Sequence, residues 1–163
     1  MLNGGDYRLR PLPSQGGTLY RQPMLLHVIA RGKIARSPEA ELVERYAKRI
    51  VWPLKLSELP ESGGRIPEPQ TPCRTVLLDE RGDALSSEEF AELLRGWRDH
   101  GTRETRFLIG GADGHSRFDR DRADRLLAFG HATWPHLLAR AMLLEQLYRA
   151  TSILAGHPYH RAG

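Results

Sequence analysis

FLIGGADGHS, residues 107–116, is a short apolar run that stops abruptly in three glycines and then offers Ser116 and Asp119 as the start of a helix. Such a strand, glycine-rich turn and helix make the basic unit of an α/β sheet. Similar units lie on both sides. Thr75–Leu78 reads as a buried strand ending in Asp79-Glu80-Arg81-Gly82, and Ser86-Ser87-Glu88-Glu89 is a capping box opening a helix whose stripe is Phe90, Leu93, Leu94 and Trp97. Upstream, Met24–Ala30 is a β-favouring run, and Ser37-Pro38-Glu39 caps a helix carrying Leu42, Val43, Tyr46 and Ile50 on one side. Leu54, Leu56 and Leu59 suggest a further strand. Downstream, the Arg/Asp-rich helix is expected to reach about Phe129, followed by a last short strand, His131 to Trp134, and a helix from Pro135 to about Ala155. Alternating elements of this length predict a mainly parallel sheet with helices on both faces. In such sheets ligands sit beyond the carboxyl ends of the strands. The loops 79–82, 110–116 and 134–136 are therefore expected to converge on one site.

Composition bounds the rest. The 163 residues, 40% hydrophobic, suffice for one well-buried domain. A net charge of +4 suits a polyanionic partner without demanding one. Cys73 is the only cysteine, which removes disulfide frameworks and cysteine-based zinc sites and fits a reducing cytoplasm. No metal site is expected, since His157 and His160 have no carboxylate or thiolate nearby in sequence to complete a ligand set. No apolar run approaches the roughly 20 residues that cross a bilayer, so no membrane partner is expected. Residues 1–23 hold four glycines and three prolines and read as a disordered leader or a mis-assigned start, with the domain occupying 24–163. Residues 60–72, bounded by prolines, should form an exposed, mobile loop suited to substrate contact.

Three further stretches carry alternatives. The Gly110–Gly114 turn lets backbone approach a ligand, or is a tight strand-to-helix turn; it matches neither the dinucleotide fingerprint nor the phosphate loop. The final helix is apolar nearly all round, which favours a homodimer over complete burial within one chain. The arginines at 117, 120, 122 and 125, interleaved with aspartates at 119, 121 and 124, read as a solvated face rather than a phosphate-contacting one.

LLDERG at 77–82, SSEEFA at 86–91, FLIGGADG at 107–114, TWPHLLAR at 133–140, LLEQLYRA at 143–150 and HPYHR at 157–161 resemble, in order and spacing, the RlmH family. These are SPOUT-class methyltransferases of large-subunit (23S) ribosomal RNA that act on N3 of a pseudouridine. The resemblance covers about Met24 to Arg161, and GKIARSPEAELVERYAKRI at 32–50 looks like the family's first helix. It implies a SPOUT-type trefoil-knotted α/β fold, a homodimer, S-adenosyl-L-methionine as donor and a ribosomal RNA or ribosome partner. By motif position, Leu78 and Asp79, Gly110 and Gly111, and the run Gly130, His131, Ala132, Thr133, Trp134 and Pro135 look like the cofactor-binding loops. The chain departs from the family's Pro-Glu after the two glycines, having Ala112-Asp113, and has Leu137 after the Pro-His step. An imide nitrogen must shed its proton to accept a methyl group, and His160, Asp113 and Arg149 are the candidate groups, with Tyr159 beside them in the tail. The expectation is that Tyr159, His160 and Arg161 of one subunit close over the other's pocket. An RNA-binding assembly factor without activity and a nucleotide-binding enzyme of another class are the rival readings.

Overall fold

A computed structural model describes residues 23–161, apart from the side chains of His160 and Arg161. The leader expected at 1–23 falls, but for its last residue, outside the described residues. Five strands form one sheet: β1 (Leu25–Arg31), β2 (Leu54–Leu59), β3 (Cys73–Asp83), β4 (Glu104–Ile109) and β5 (Arg125–Leu127). The order is β2-β1-β4-β3-β5, and every neighbouring pair is parallel. Four helices connect and cover them: α1 (Pro38–Arg49), α2 (Ser87–Asp99), α3 (Arg117–Arg122) and α4 (His136–Leu154).

Local chemistry sets the helix starts. Ser37 accepts the Ala40 N–H with Pro38 in the first turn, and at α2 the Ser86 and Glu89 side chains cap each other's backbone N–H in a complete capping box. The crossovers β1–α1–β2 and β3–α2–β4 step in the same lateral direction. Right-handed connections therefore put α1 and α2 on one face, and α4 packs against both of them there. The core beneath is built from Leu26, Val28, Val76, Phe107 and Ile109 of the sheet with Val43, Leu94, Leu143, Leu144 and Leu147 of the helices. The β2–β3 connection and the β4–α3–β5 crossover step the other way, so residues 60–72 and α3 belong to the opposite face.

That opposite face carries a buried polar cluster. His27 on β1 donates from Nδ1 to Glu104 Oε1 (3.0 Å) and accepts from Ser57 Oγ at Nε2 (2.8 Å). The Arg106 Nε–H also reaches Glu104 Oε1 (2.9 Å), and the Gln70 N–H reaches Oε2 (2.6 Å). Residues 60–72 lack regular structure, as expected, yet they are held at both ends. Besides the Gln70 contact, Arg31 Nη1 donates to the carbonyls of Pro60 (3.0 Å) and Gly63 (2.6 Å). The expected mobility is thus opposed by charge-assisted bonds.

The segment after β4 departs from expectation. Helix α3 stops at Arg122 rather than near Phe129, and the last strand is Arg125–Leu127 rather than His131–Trp134. The cause is Asp124, whose carboxylate takes the Thr75 N–H (2.7 Å) while its own N–H meets the Thr75 carbonyl (2.9 Å), docking the chain on β3 immediately. Strand β3 also runs past Leu78: a register shift separates it from a second pairing of Asp83 with Leu127, so 79–82 is a kinked strand extension rather than a free loop. Of the four arginines in the charged stretch, Arg120 and Arg125 pair with Asp79 and Asp83 of β3, and Asp124 is taken by Arg74, whereas Arg117 and Arg122 stay exposed, so the expected solvated face holds for part of the stretch only.

Helix α4 starts as expected. Its Leu143, Leu144, Leu147 and Ala150 are buried between α1 and α2, whereas Leu137, Leu138, Met142, Ile153 and Leu154 stay part-exposed. The single chain therefore absorbs much, but not all, of its apolar surface. Arg140, 4% exposed, reaches Glu58 Oε2 through Nη1 (2.6 Å) and the Gly32 carbonyl through Nη2 (3.1 Å), fixing α4 to the ends of β1 and β2.

Burial holds the His27 imidazole below its usual 6.5, against the pull of Glu104. Burial would raise the Glu104 carboxyl, but the Gln70 N–H, His27 and Arg106 outweigh it and hold it below the carboxylate range. Both shifts have the same sign for stability. A depressed imidazole leaves the folded state with fewer protons than the unfolded chain, so stability is complete above 6.5 and declines as pH falls below it; Glu104 adds a further loss in the carboxylate range. Thermal melts between pH 8 and pH 4 should show this two-stage decline, and His27→Gln, which keeps an amide donor for Glu104, should reduce the first stage, leaving the share of His115, whose buried imidazole is depressed as well.

Candidate active site

Three stretches from the carboxyl ends of β3, β4 and β5 meet the first turn of α4 around a cleft of about 410 Å³. Leu78 and Asp79 come from β3, Gly110, Gly111 and Asp113 from the β4 turn, and Ala132, Thr133, Trp134 and Pro135 from the approach to α4. The convergence expected from sequence is therefore observed. Gly130 lines a neighbouring cavity of about 420 Å³, with Ser86, Met142 and Glu145, and His131 lines neither of the two. Ile109, Leu127, Ala128 and Phe129 form apolar wall that the motifs did not single out. Arg149 and Tyr159 stand elsewhere: Arg149 donates to Glu145 (2.7 Å) with its guanidinium 5.0 Å from the Tyr159 ring centroid, and Tyr159 Oη donates to the same carboxylate (3.2 Å). The Tyr159 ring also packs against that of Tyr148, tilted, with centroids 4.4 Å apart, so the tail folds along α4 of its own chain. The side chain of His160 is outside the described residues.

The charges at the cleft are largely tied down. Burial would raise the Asp79 carboxyl, but Arg120 Nε at 2.6 Å and the Arg81 N–H at 2.9 Å hold it ionised and below the carboxylate range. The only guanidinium lining the cleft among the described residues is thereby neutralised. His115 gives a hydrogen bond from Nε2 to the Leu78 carbonyl (3.0 Å), and burial depresses its imidazole, so the ring is neutral. Thr133 donates to Glu80, and the Trp134 indole N–H to the Phe129 carbonyl (2.9 Å), which fixes the third stretch. Asp113 stands exposed at the rim.

Sequence reasoning missed Glu61. It comes from the turn after β2 that Arg31 clamps, and its carboxylate occupies the space that a Cβ on Gly111 or on Gly32 would take. His136 Nε2 is 3.7 Å from the same point above Gly32. The Glu61 oxygens have no hydrogen-bond partner among the described residues. The signal was present as ESGG, where an acid precedes two glycines, but nothing in spacing says that it crosses β1 to reach the β4 turn. Gly110 is crowded differently, because a Cβ there would lie 2.9 Å from the backbone of Gly114, which cannot swing aside.

A family model described as Predicted SPOUT methyltransferase matches residues 24–160. Among curated proteins, Ribosomal RNA large subunit methyltransferase H of Erythrobacter litoralis is 75% identical over 140 residues, covering 86% of this chain and 100% of the relative. The protein of the same name from Novosphingobium aromaticivorans is 70% identical over 141 residues, again 86% and 100%. That of Zymomonas mobilis is 56% identical over 142 residues with the same coverage.

The two kinds of glycine crowding are separable by thermal unfolding. Gly110→Ala should be the costlier change, lowering stability by about 1–3 kcal/mol because backbone must move. Gly111→Ala should cost less, and its penalty should vanish in a Glu61→Ala background, whereas the Gly110→Ala penalty should persist there.

Proposed function

Because the chain belongs to the SPOUT methyltransferase family, we propose that it transfers the methyl group of S-adenosyl-L-methionine to N3 of a pseudouridine in large-subunit ribosomal RNA. The observation that carries this is the cleft at the strand ends, where glycine backbone and apolar side chains are joined by Asp79, Glu80 and Asp113 and where the one lining guanidinium among the described residues is neutralised by Asp79. It suits a sulfonium donor on three counts. Its volume is that of a small-molecule site, its glycines leave room for close backbone contact, and its carboxylates outnumber its cations. Leu78, Asp79, Gly110, Gly111 and 132–135 are the residues that would hold the donor. When bound, that donor supplies a methyl group activated by positive charge on sulfur.

The chain itself must position the acceptor nitrogen and take its proton. Asp113, exposed at the rim, is the described carboxylate placed to do so, with His160 as the second candidate. Arg149 is held by Glu145 and Tyr159 away from the cleft of its own chain, so any part it plays is in a second copy. The part-exposed Leu137, Leu138 and Met142 on α4 and the ordered docking of Tyr159 support a homodimer in which the tail of one subunit reaches the cleft of its partner. In-line alignment within that assembly supplies most of the acceleration through positioning. A trefoil knot and cytoplasmic action on assembled ribosomes complete the proposal. Among the described residues no helix is long and apolar enough to cross a membrane, and no cluster of three metal-ligating side chains occurs.

The test is to incubate the protein and labelled donor with ribosomes lacking the modification and to map the methylated base by mass spectrometry. The expected result is label on N3 of a pseudouridine and none when uridine stands there. Removing residues 157–163 should abolish methylation while sparing dimerisation and donor binding; an active truncated protein would refute the role of the tail.

A further inference from the structure

Helix α3 shows two different faces. Arg120 turns to the cleft and binds Asp79. Phe118, two residues before it, is 65% exposed, and the Arg122 guanidinium lies 5.1 Å from its ring centroid. A large apolar ring left in water is a feature to account for, since neither the core nor the cleft uses it.

The aspartates around it do not serve Arg122. Asp119 receives the Ser116 hydroxyl (2.7 Å), Asp124 is taken by Arg74 and the Thr75 N–H, and Asp121 faces Arg117 at 3.9 Å. Arg122 has no carboxylate partner among the described residues. A planar cation resting on an aromatic ring, with no counter-ion, matches an unpaired nucleotide: the ring stacks on a base and the guanidinium meets a base face or a phosphate. Trp134, 41% exposed, supplies a second open ring, in the lining of the cleft itself.

We propose that Phe118 and Arg122 form a stacking platform for an unpaired nucleotide of the RNA substrate, next to the target base, so that α3 grips the RNA with one face while Arg120 orders the cleft with the other. This rests on the methyltransferase reading for its substrate class. RNA is favoured over a protein occupant by charge: the chain carries +4, Arg117 is 93% exposed in its side chain, and a protein partner would have to bring its own carboxylate to Arg122.

The experiment measures binding to bacterial large ribosomal subunits by co-sedimentation, with S-adenosyl-L-methionine affinity by calorimetry and oligomeric state by size exclusion as parallel readouts. Phe118→Ala and Arg122→Ala should each weaken subunit binding about tenfold, and Phe118→Tyr should stay within about twofold of the wild type. Arg122→Gln should also flatten the salt dependence, and none of the four should change donor affinity or melting temperature. Unchanged subunit binding in Phe118→Ala, or a wild-type chain that does not bind, overturns the platform, as does a change of oligomeric state in Phe118→Ala, which would assign the ring to a protein contact. A wild-type chain that binds subunits through Phe118 but methylates nothing would sink the enzymatic reading and leave the platform standing.

Discussion

Everything at the working end of this molecule depends on one buried guanidinium. Arg140 lies one turn into α4, and its bonds to Glu58 and to the Gly32 carbonyl lock that helix onto the ends of β2 and β1. Hydrogen bonds to a charged group contribute about 1.5–3 kcal/mol each, so the lock is a large fraction of what holds a small fold together. Because α4 begins at His136, the same lock sets where Pro135, Trp134 and Thr133 stand, and with them one wall of the cleft. Glu58 is shared: it also accepts the Ile34 N–H, so the turn that leads into α1 is fixed by the same carboxylate.

The cleft is electrostatically quiet in spite of the charges around it. Arg120 and Asp79 cancel, His115 is kept neutral by burial, and Glu80 is engaged by Thr133. What remains open is the Asp113 carboxylate at the rim and Glu61 across the β4 turn, which has no hydrogen-bond partner among the described residues. A cationic ligand meets no opposing charge there, and the neutralised groups act as fixed dipoles that need not reorganise when charge moves.

Much of this could be read from the chain before any coordinates. The caps at Ser37, Ser86 and Ser116 are local chemistry, complete within four residues, and each begins a helix where expected. The strands that cross the core are apolar runs bounded by breakers, and their carboxyl ends do meet. The failures share a cause. Strand β5 has three residues and exists because Asp124 docks on Thr75, 49 residues away, and no periodicity records such a contact. The same holds for Glu61, which matters only because β1 and β4 are neighbours, and for Arg120 and Arg125 of the charged stretch, which look solvated until β3 is placed beside them. Apolarity all round α4 was legible; how the surplus is divided between α1, α2 and the surface was a question of packing.

The strand order also constrains when the molecule can come into being. Strand β1 pairs with β2, about 28 residues on, and with β4, whose first partner Glu104 lies 79 residues after Leu25. A chain emerging from its N-terminus therefore has only the edge of its future sheet until Ile109 has been made, and the central pairing closes late. Contacts of such separation slow folding, and they leave the backbone of β1 open on one side in the interval. The polar residues His27 and Arg31, set among the apolar ones of that strand, are the kind of interruption that discourages mispairing while it waits.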